Sequence, residues 1–186
     1  AARFVRKTHS SSPAAFTSHP MGPVGALCEG RVRFDLRLPS IDPVGQGPQT
    51  RPDACVALLA TGIGDDGRLI DAAIQSGFDG LVLEATGGGH VNPQVADALE
   101  RAARQVPVLF ATRTRGGETL ASTYGFAGGE IDLQRRGLIR ALPASCRCCA
   151  HVVGPTRCAW FRRGAVNDWL SRGRVRPARP ANRCWR

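Results

Sequence analysis

The chain has 186 residues, of which 42% are hydrophobic and 22% charged, a balance that fits one globular domain with an appendage. Its formal net charge is +10, but ten arginines against a single acid, Asp168, put nine of those charges in residues 144–186. That placement excludes a uniformly basic body. No apolar run approaches the roughly 18 residues needed to cross a bilayer. Two scattered body cysteines, Cys28 and Cys55, do not make a disulfide framework, so the body gives no redox address.

Residues 1–38 read as the end of one unit. Their start, A-A-R-F-V-R-K, has no apolar signal-peptide core and reads like the middle of a protein. Residues 39–53 hold prolines at 39, 43, 48 and 52, each lacking a ladder donor and restricting the residue before it, and so read as a linker. Residues 54–143 then alternate strand and helix. C-V-A-L-L-A (55–60) suits a buried strand. A helix over 66–76 follows, with Leu69, Ile70, Ala73 and Ile74 on one face and Gly77 as its stop. G-L-V-L-E-A (80–85) is the next strand. Asn92-Pro93 supplies an N-cap and an N1 proline to a helix over 93–105, which turns Val95, Leu99, Ala102 and Ala103 to one side. P-V-L-F-A-T (107–112) is a third strand, and G-L-I-R-A-L (137–142) suits a fourth. Such alternation implies right-handed βαβ crossovers and an α/β fold, a small parallel sheet with helices on both faces.

Ligands of open parallel sheets bind beyond the carboxyl ends of the strands. Three such ends are visible: Thr61-Gly62, Glu84 to His90, and Thr112-Arg113. The middle one carries T-G-G-G-H (86–90), where successive glycines let a backbone approach a ligand and expose N–H groups. Taken alone, that stretch is most simply a flexible turn. Glu118 lies in a glycine-flanked loop, and Tyr124, the single tyrosine, reads as a packed aromatic beside Phe126. Lys7 is the one lysine among 25 basic residues. None of these residues carries a function singly.

Their order does. K-T-H-S-S-S-P-A-A-F (7–16), G-P-V-G (22–25), T-G-G-G-H-V (86–91) and Y-G-F (124–126) together resemble the back half of the bacterial L-asparaginase/glutaminase family, in matching order across residues 3–133. The resemblance implies an α/β amidohydrolase that takes the side-chain amide of asparagine or glutamine to the acid and ammonia. It implies a homo-oligomer, an amino-acid substrate, no metal or organic cofactor, and a cytoplasmic address without a membrane or nucleic-acid partner. Residues 1–38 would end the larger N-terminal domain, and 54–143 would form the flavodoxin-like C-terminal one. Lys7 falls on the family's catalytic lysine, where an amine near a hydroxyl can lower its pKa or accept its proton, a base role closed to arginine. Gly89 and His90 fall on a substrate-facing loop that is often Gly-Asn. Glu118 falls on the acid that binds the substrate's α-ammonium group. In the family these loop positions serve a neighbouring protomer.

Two departures stand out. The family's threonine elements, T-G-G-T and H-G-T-D, do not occur in this sequence, so the chain would supply the lysine and the loops without the nucleophile and be inactive alone. After Pro143 a K-A-R element is expected. Arginine, cysteine and all three tryptophans (160, 169, 185) rise together instead, as they would after a frameshift, in a tail without periodicity. The tail's C-x-C-C-x-H-x6-C spacing fits no common zinc finger. The competing reading is a non-enzymatic α/β module whose arginine tail binds nucleic acid by counterion release.

Overall fold

A computed structural model describes residues 5–18, 22–37, 55–114 and 117–141. The chain divides into two units, Ala1–Gly45 and Gln46–Arg186. The expected linker and the arginine-rich tail lie outside the described residues.

The first unit holds two antiparallel pairs that periodicity alone did not reveal. Strand β1 (Val5–Lys7) pairs with β2 (Phe16–Ser18), and β3 (Gly25–Cys28) pairs with β4 (Arg31–Phe34). The second hairpin turns on two residues, Glu29 and Gly30, both at positive φ (49° and 75°). Positive φ at both turn positions matches the right-handed twist of the flanking strands. Between β1 and β2 the run T-H-S-S-S-P folds tightly. The amide and hydroxyl of Thr8 both donate to the Ala15 carbonyl, and His9 Nδ1 accepts the amides of Ser11 and Ser12 at 3.1 and 3.0 Å.

The second unit is a four-stranded parallel sheet flanked by helices. Strands β5 (Val56–Ala60), β6 (Gly80–Ala85), β7 (Val108–Thr112) and β8 (Ile139–Arg140) lie side by side in chain order. Helices α1 (Arg68–Gln75) and α2 (Pro93–Ala103) make the first two crossovers, and a short α3 (Glu130–Arg135) precedes β8. The alternation and the parallel pairing stand as expected, with both long helices starting or ending a few residues inside their expected bounds. α3 was not anticipated, because six residues are too few to establish a period.

The core follows the strand pleat. Ala57, Leu81, Leu83, Ala85, Val108 and Phe110 point to one face and meet Ile70, Ala73 and Ile74 of α1, with Val95, Leu99, Ala102 and Ala103 of α2. Leu133 of α3 joins the same cluster. Right-handed crossovers between successive neighbours carry their helices to one side of a sheet. On the opposite face Val82, Leu109, Ala111 and Ala141 form a smaller cluster with Val56, Leu58 and Ile139. One helix expectation is corrected. Leu69 is 59% exposed, because it sits a full 100° step from Ile70, off the stripe of Ile70, Ala73 and Ile74. Asn92 caps α2 as expected: its Oδ1 accepts the Val95 amide at 2.9 Å, and its Nδ2 donates to the Asp65 carbonyl at 2.6 Å.

Candidate active site

The carboxyl ends of β6 and β7 gather the loops on which the sequence placed chemistry. After β6 the chain makes a closed turn. The amides of Gly89 and His90 both donate to the Thr86 carbonyl, and the Thr86 amide and hydroxyl both donate to the His90 carbonyl. Gly89 is buried with φ at +112°. A Cβ there would sit 2.7 Å from Thr119 Cγ2 and 3.2 Å from the Phe110 ring. Neither the backbone angle nor the space admits a side chain. The close approach that the glycines allow is thus to the chain's own 119–120 segment. The Leu120 amide donates to the Gly88 carbonyl at 2.7 Å, and a Cβ on Gly88 would meet the Leu120 side chain.

The same segment carries Glu118, which is exposed at the rim, one residue before the buried Thr119. Thr119 is held from two sides. Its hydroxyl accepts the Thr112 amide at 3.1 Å, and its carbonyl accepts Arg140 Nη1 at 2.8 Å. Thr112 at the end of β7 donates its hydroxyl to the Gly87 carbonyl, tying the glycine turn to the next strand. Gly89, His90 and the backbone around Glu118 are therefore one packed assembly at the strand ends.

His90 is its most elaborated member. Its side chain is 20% exposed. Nε2 lies 3.0 Å from Oε2 of Glu130, a residue with no exposed surface. The rings of Tyr124 and Phe126 meet the imidazole edge-on at 5.0 and 5.2 Å between centroids. Tyr124 neighbours Phe126 as expected, but both remain about half exposed, because they wall the histidine instead of entering the core. Oε1 of Glu130 accepts the amides of Thr123 and Tyr124, each at 2.7 Å. Burial pushes the Glu130 carboxyl up, but the Tyr124 and Thr123 amides, its own amide and His90 outweigh it, so the net shift is below the usual glutamate value. At neutral pH Glu130 is a buried carboxylate whose bonds join the glycine turn, the 117–129 loop and α3.

Sequence reasoning missed Glu130. The available signal was local: an acid after Gly128-Gly129 with Asp132 two residues on, acids being favourable in a helix's first turn. Nothing in the sequence pairs it with a histidine forty residues earlier.

Lys7 lies in the other unit. It is exposed, registers opposite Phe16, and carries its ammonium 5.9 Å from that ring's centroid. Among the described residues no cluster of three or more metal-binding side chains occurs. No helix among them is long and apolar enough to cross a membrane.

Comparison with known proteins decides what carries these loops. Residues 55–147 match the family described as the glutaminase/asparaginase C-terminal domain. This chain belongs to the asparaginase/glutaminase family, in its C-terminal portion. It is 33% identical over 139 residues to an L-asparaginase of Bacillus licheniformis, spanning 74% of this chain and 42% of that protein. It is 35% identical over 128 residues to a glutamyl-tRNA(Gln) amidotransferase component of Aeropyrum pernix, and 28% identical over 125 residues to the corresponding component of Methanosarcina barkeri. Each of those two alignments spans 64% of this chain and 29% of the relative. The chain thus spans less than half the length of the relatives it matches. The family's chemistry is amidohydrolase-like, and an α/β domain with a parallel sheet is its expected C-terminal part.

Proposed function

We propose that this chain is the lysine-bearing and loop-bearing part of an amidohydrolase that takes the side-chain amide of L-asparagine or L-glutamine to the acid and ammonia. The observation that carries the reading is the packed assembly at the ends of β6 and β7. There the glycine turn, His90 and the Glu118 segment stand together at the edge where parallel sheets bind ligands. Glu118 gives the substrate's α-ammonium an exposed carboxylate. His90 adds a polar ring on a walled, ordered turn. Lys7 contributes the amine that adjusts the nucleophile's proton, in an assembly whose loops come from a neighbouring protomer. No metal or organic cofactor enters this chemistry.

The test is an ammonia-release assay in two settings. The purified 186-residue chain should release none, since it contains neither threonine element. Joined to an upstream segment that carries both elements, it should hydrolyse L-asparagine or L-glutamine. In that setting Lys7→Arg should be nearly as damaging as Lys7→Ala, with losses of roughly 10² or more in kcat, the usual weight of an acid–base group. Glu118→Gln should act mainly on KM. A near-normal kcat for Lys7→Arg would reduce Lys7 to a simple charge and defeat its proton-transfer role.

The relatives named as amidotransferase components favour a second reading, in which the chain is part of a complex that passes the amide nitrogen to an acylated tRNA. Hydrolysis at full rate with no response to tRNA or partner proteins decides for the free hydrolase.

A further inference from the structure

We infer that Glu130 is a positioning residue that fixes the tautomer of His90 and so makes Nδ1 of that ring a hydrogen-bond acceptor for an N–H-bearing ligand, an ammonium or a primary amide. The ligand part rests on the function proposed above; the tautomer part does not.

The argument begins with donor and acceptor inventory. An ionised carboxylate can only accept. Oε1 of Glu130 is occupied by the Thr123 and Tyr124 amides, which leaves Oε2 to face His90 Nε2 at 3.0 Å. Nε2 must therefore carry a proton, and in the neutral ring Nδ1 then holds a lone pair. Nδ1 makes no hydrogen bond to any described residue. Its neighbourhood is the glycine turn, where a Cβ on Gly87 would come only to 3.9 Å. The edge-on rings of Tyr124 and Phe126 oppose rotation of the imidazole. The arrangement is an aimed acceptor, held from behind by a buried charge. Primary amides and ammonium groups are donors that such a lone pair takes.

The carboxylate also makes a specific variant informative. In Glu130→Gln the two backbone amides still require an acceptor at the Oε1 position, so the glutamine carbonyl oxygen stays there. Its NH₂ group then faces His90 Nε2. A donor opposite Nε2 makes that nitrogen the acceptor, and the proton moves to Nδ1. The substitution keeps shape and backbone bonding while reversing the ring's polarity at the ligand side.

The experiment is ¹⁵N NMR on the histidine-labelled 186-residue chain, at a pH where His90 is neutral, with His90→Asn identifying its signals. The expected result is an Nε2–H tautomer in the native chain and an Nδ1–H tautomer in Glu130→Gln. A native Nδ1–H tautomer overturns the inference, as does a folded Glu130→Gln chain that retains Nε2–H. If Glu130→Gln does not fold, the native tautomer alone decides. Titration with L-asparagine and L-glutamine, carried out on the chain joined to the upstream segment used in the activity assay, reports on the function separately. Movement of the Nδ1 signal supports His90 as a substrate contact. An unmoved signal with the expected tautomers removes His90 from the substrate site and leaves Glu130 as the group that orients it.

Discussion

The hairpins of residues 5–37 and the sheet of residues 56–141 satisfy backbone polarity by the same means, strand ladders, yet treat their side chains in opposite ways. In the sheet unit the alternate residues of β6 and β7 are almost wholly buried, with Leu81, Leu83, Val108 and Phe110 at or below 1% exposure. In the hairpins Leu27, Val32 and Phe34 are 72, 66 and 70% exposed, and Ala15 is the one buried side chain among those described. A two-stranded ribbon has no second layer to cover its apolar face, so it is marginal by itself. Three or more strands backed by helices make a core. The difference teaches that the sheet unit holds its own shape, whereas the Lys7 hairpin depends on surroundings for its geometry.

The sharpest way to test that contrast is a matched pair of truncations. Phe110→Ala should destabilise the chain by about 3–5 kcal/mol, the usual cost of emptying a buried phenylalanine site. Phe34→Ala should stay within about 0.5 kcal/mol, as exposed substitutions do. Chemical denaturation followed by circular dichroism measures both, and a large loss at Phe34 would show that its hairpin is packed in solution.

Removing the buried carboxylate comes next. Glu130→Ala should cost about 3 kcal/mol, because hydrogen bonds to charged groups contribute about 1.5–3 kcal/mol each. The same group sets a pH dependence. Its folded pKa is lowered, so its stabilisation is complete above the unfolded glutamate pKa and is lost as pH falls through the folded value. Acid unfolding of the native chain should therefore be steeper below the usual carboxylate range than that of Glu130→Gln, and superimposable curves would contradict this.

A glycine pair sharpens the comparison at a smaller scale. Gly89→Ala meets both a strained φ and the Thr119 and Phe110 side chains, and should cost about 1–3 kcal/mol from overpacking alone. Gly30→Ala shares only the positive φ, with open space around it, and should cost about 1 kcal/mol. Equal melting-temperature shifts for the two would mean that the glycine turn after β6 is loose. On the same scale as Gly30→Ala, Asn92→Ala is expected to cost about 1 kcal/mol for the lost cap of α2.

The same contrast explains what could be read from the sequence. The three long strands and two long helices were legible because each buries a continuous apolar run or stripe. Asn92-Pro93 was legible because capping is local. The hairpins were not, since strands of three or four residues whose described side chains are mostly exposed leave no burial pattern, although the Glu29-Gly30 turn was a usable local signal. Gly89, His90 and Glu118 were singled out through the family's motif order, and the fold brings their backbone segments together. The His90–Glu130 pair was invisible because it spans loops whose contact depends on the whole sheet. Leu69 misled because one step of 100° separates a buried position from an exposed one.

The order of the strands has a kinetic consequence. Each strand of the sheet pairs with the one formed just before it: Val56 with Gly80, Leu81 with Val108, Leu109 with Ile139. Every pairing therefore closes a loop of roughly 25–30 residues, and doubling a loop adds only about 0.6 kcal/mol of closure entropy. No strand has to wait for a distant partner, so the sheet can be laid down sequentially as the chain leaves the ribosome, each new strand finding a finished edge. The His90 turn is made early in that order and Glu130 late. The imidazole accordingly gains its fixed orientation only when the last crossover closes, and site assembly becomes a marker for completion of the fold.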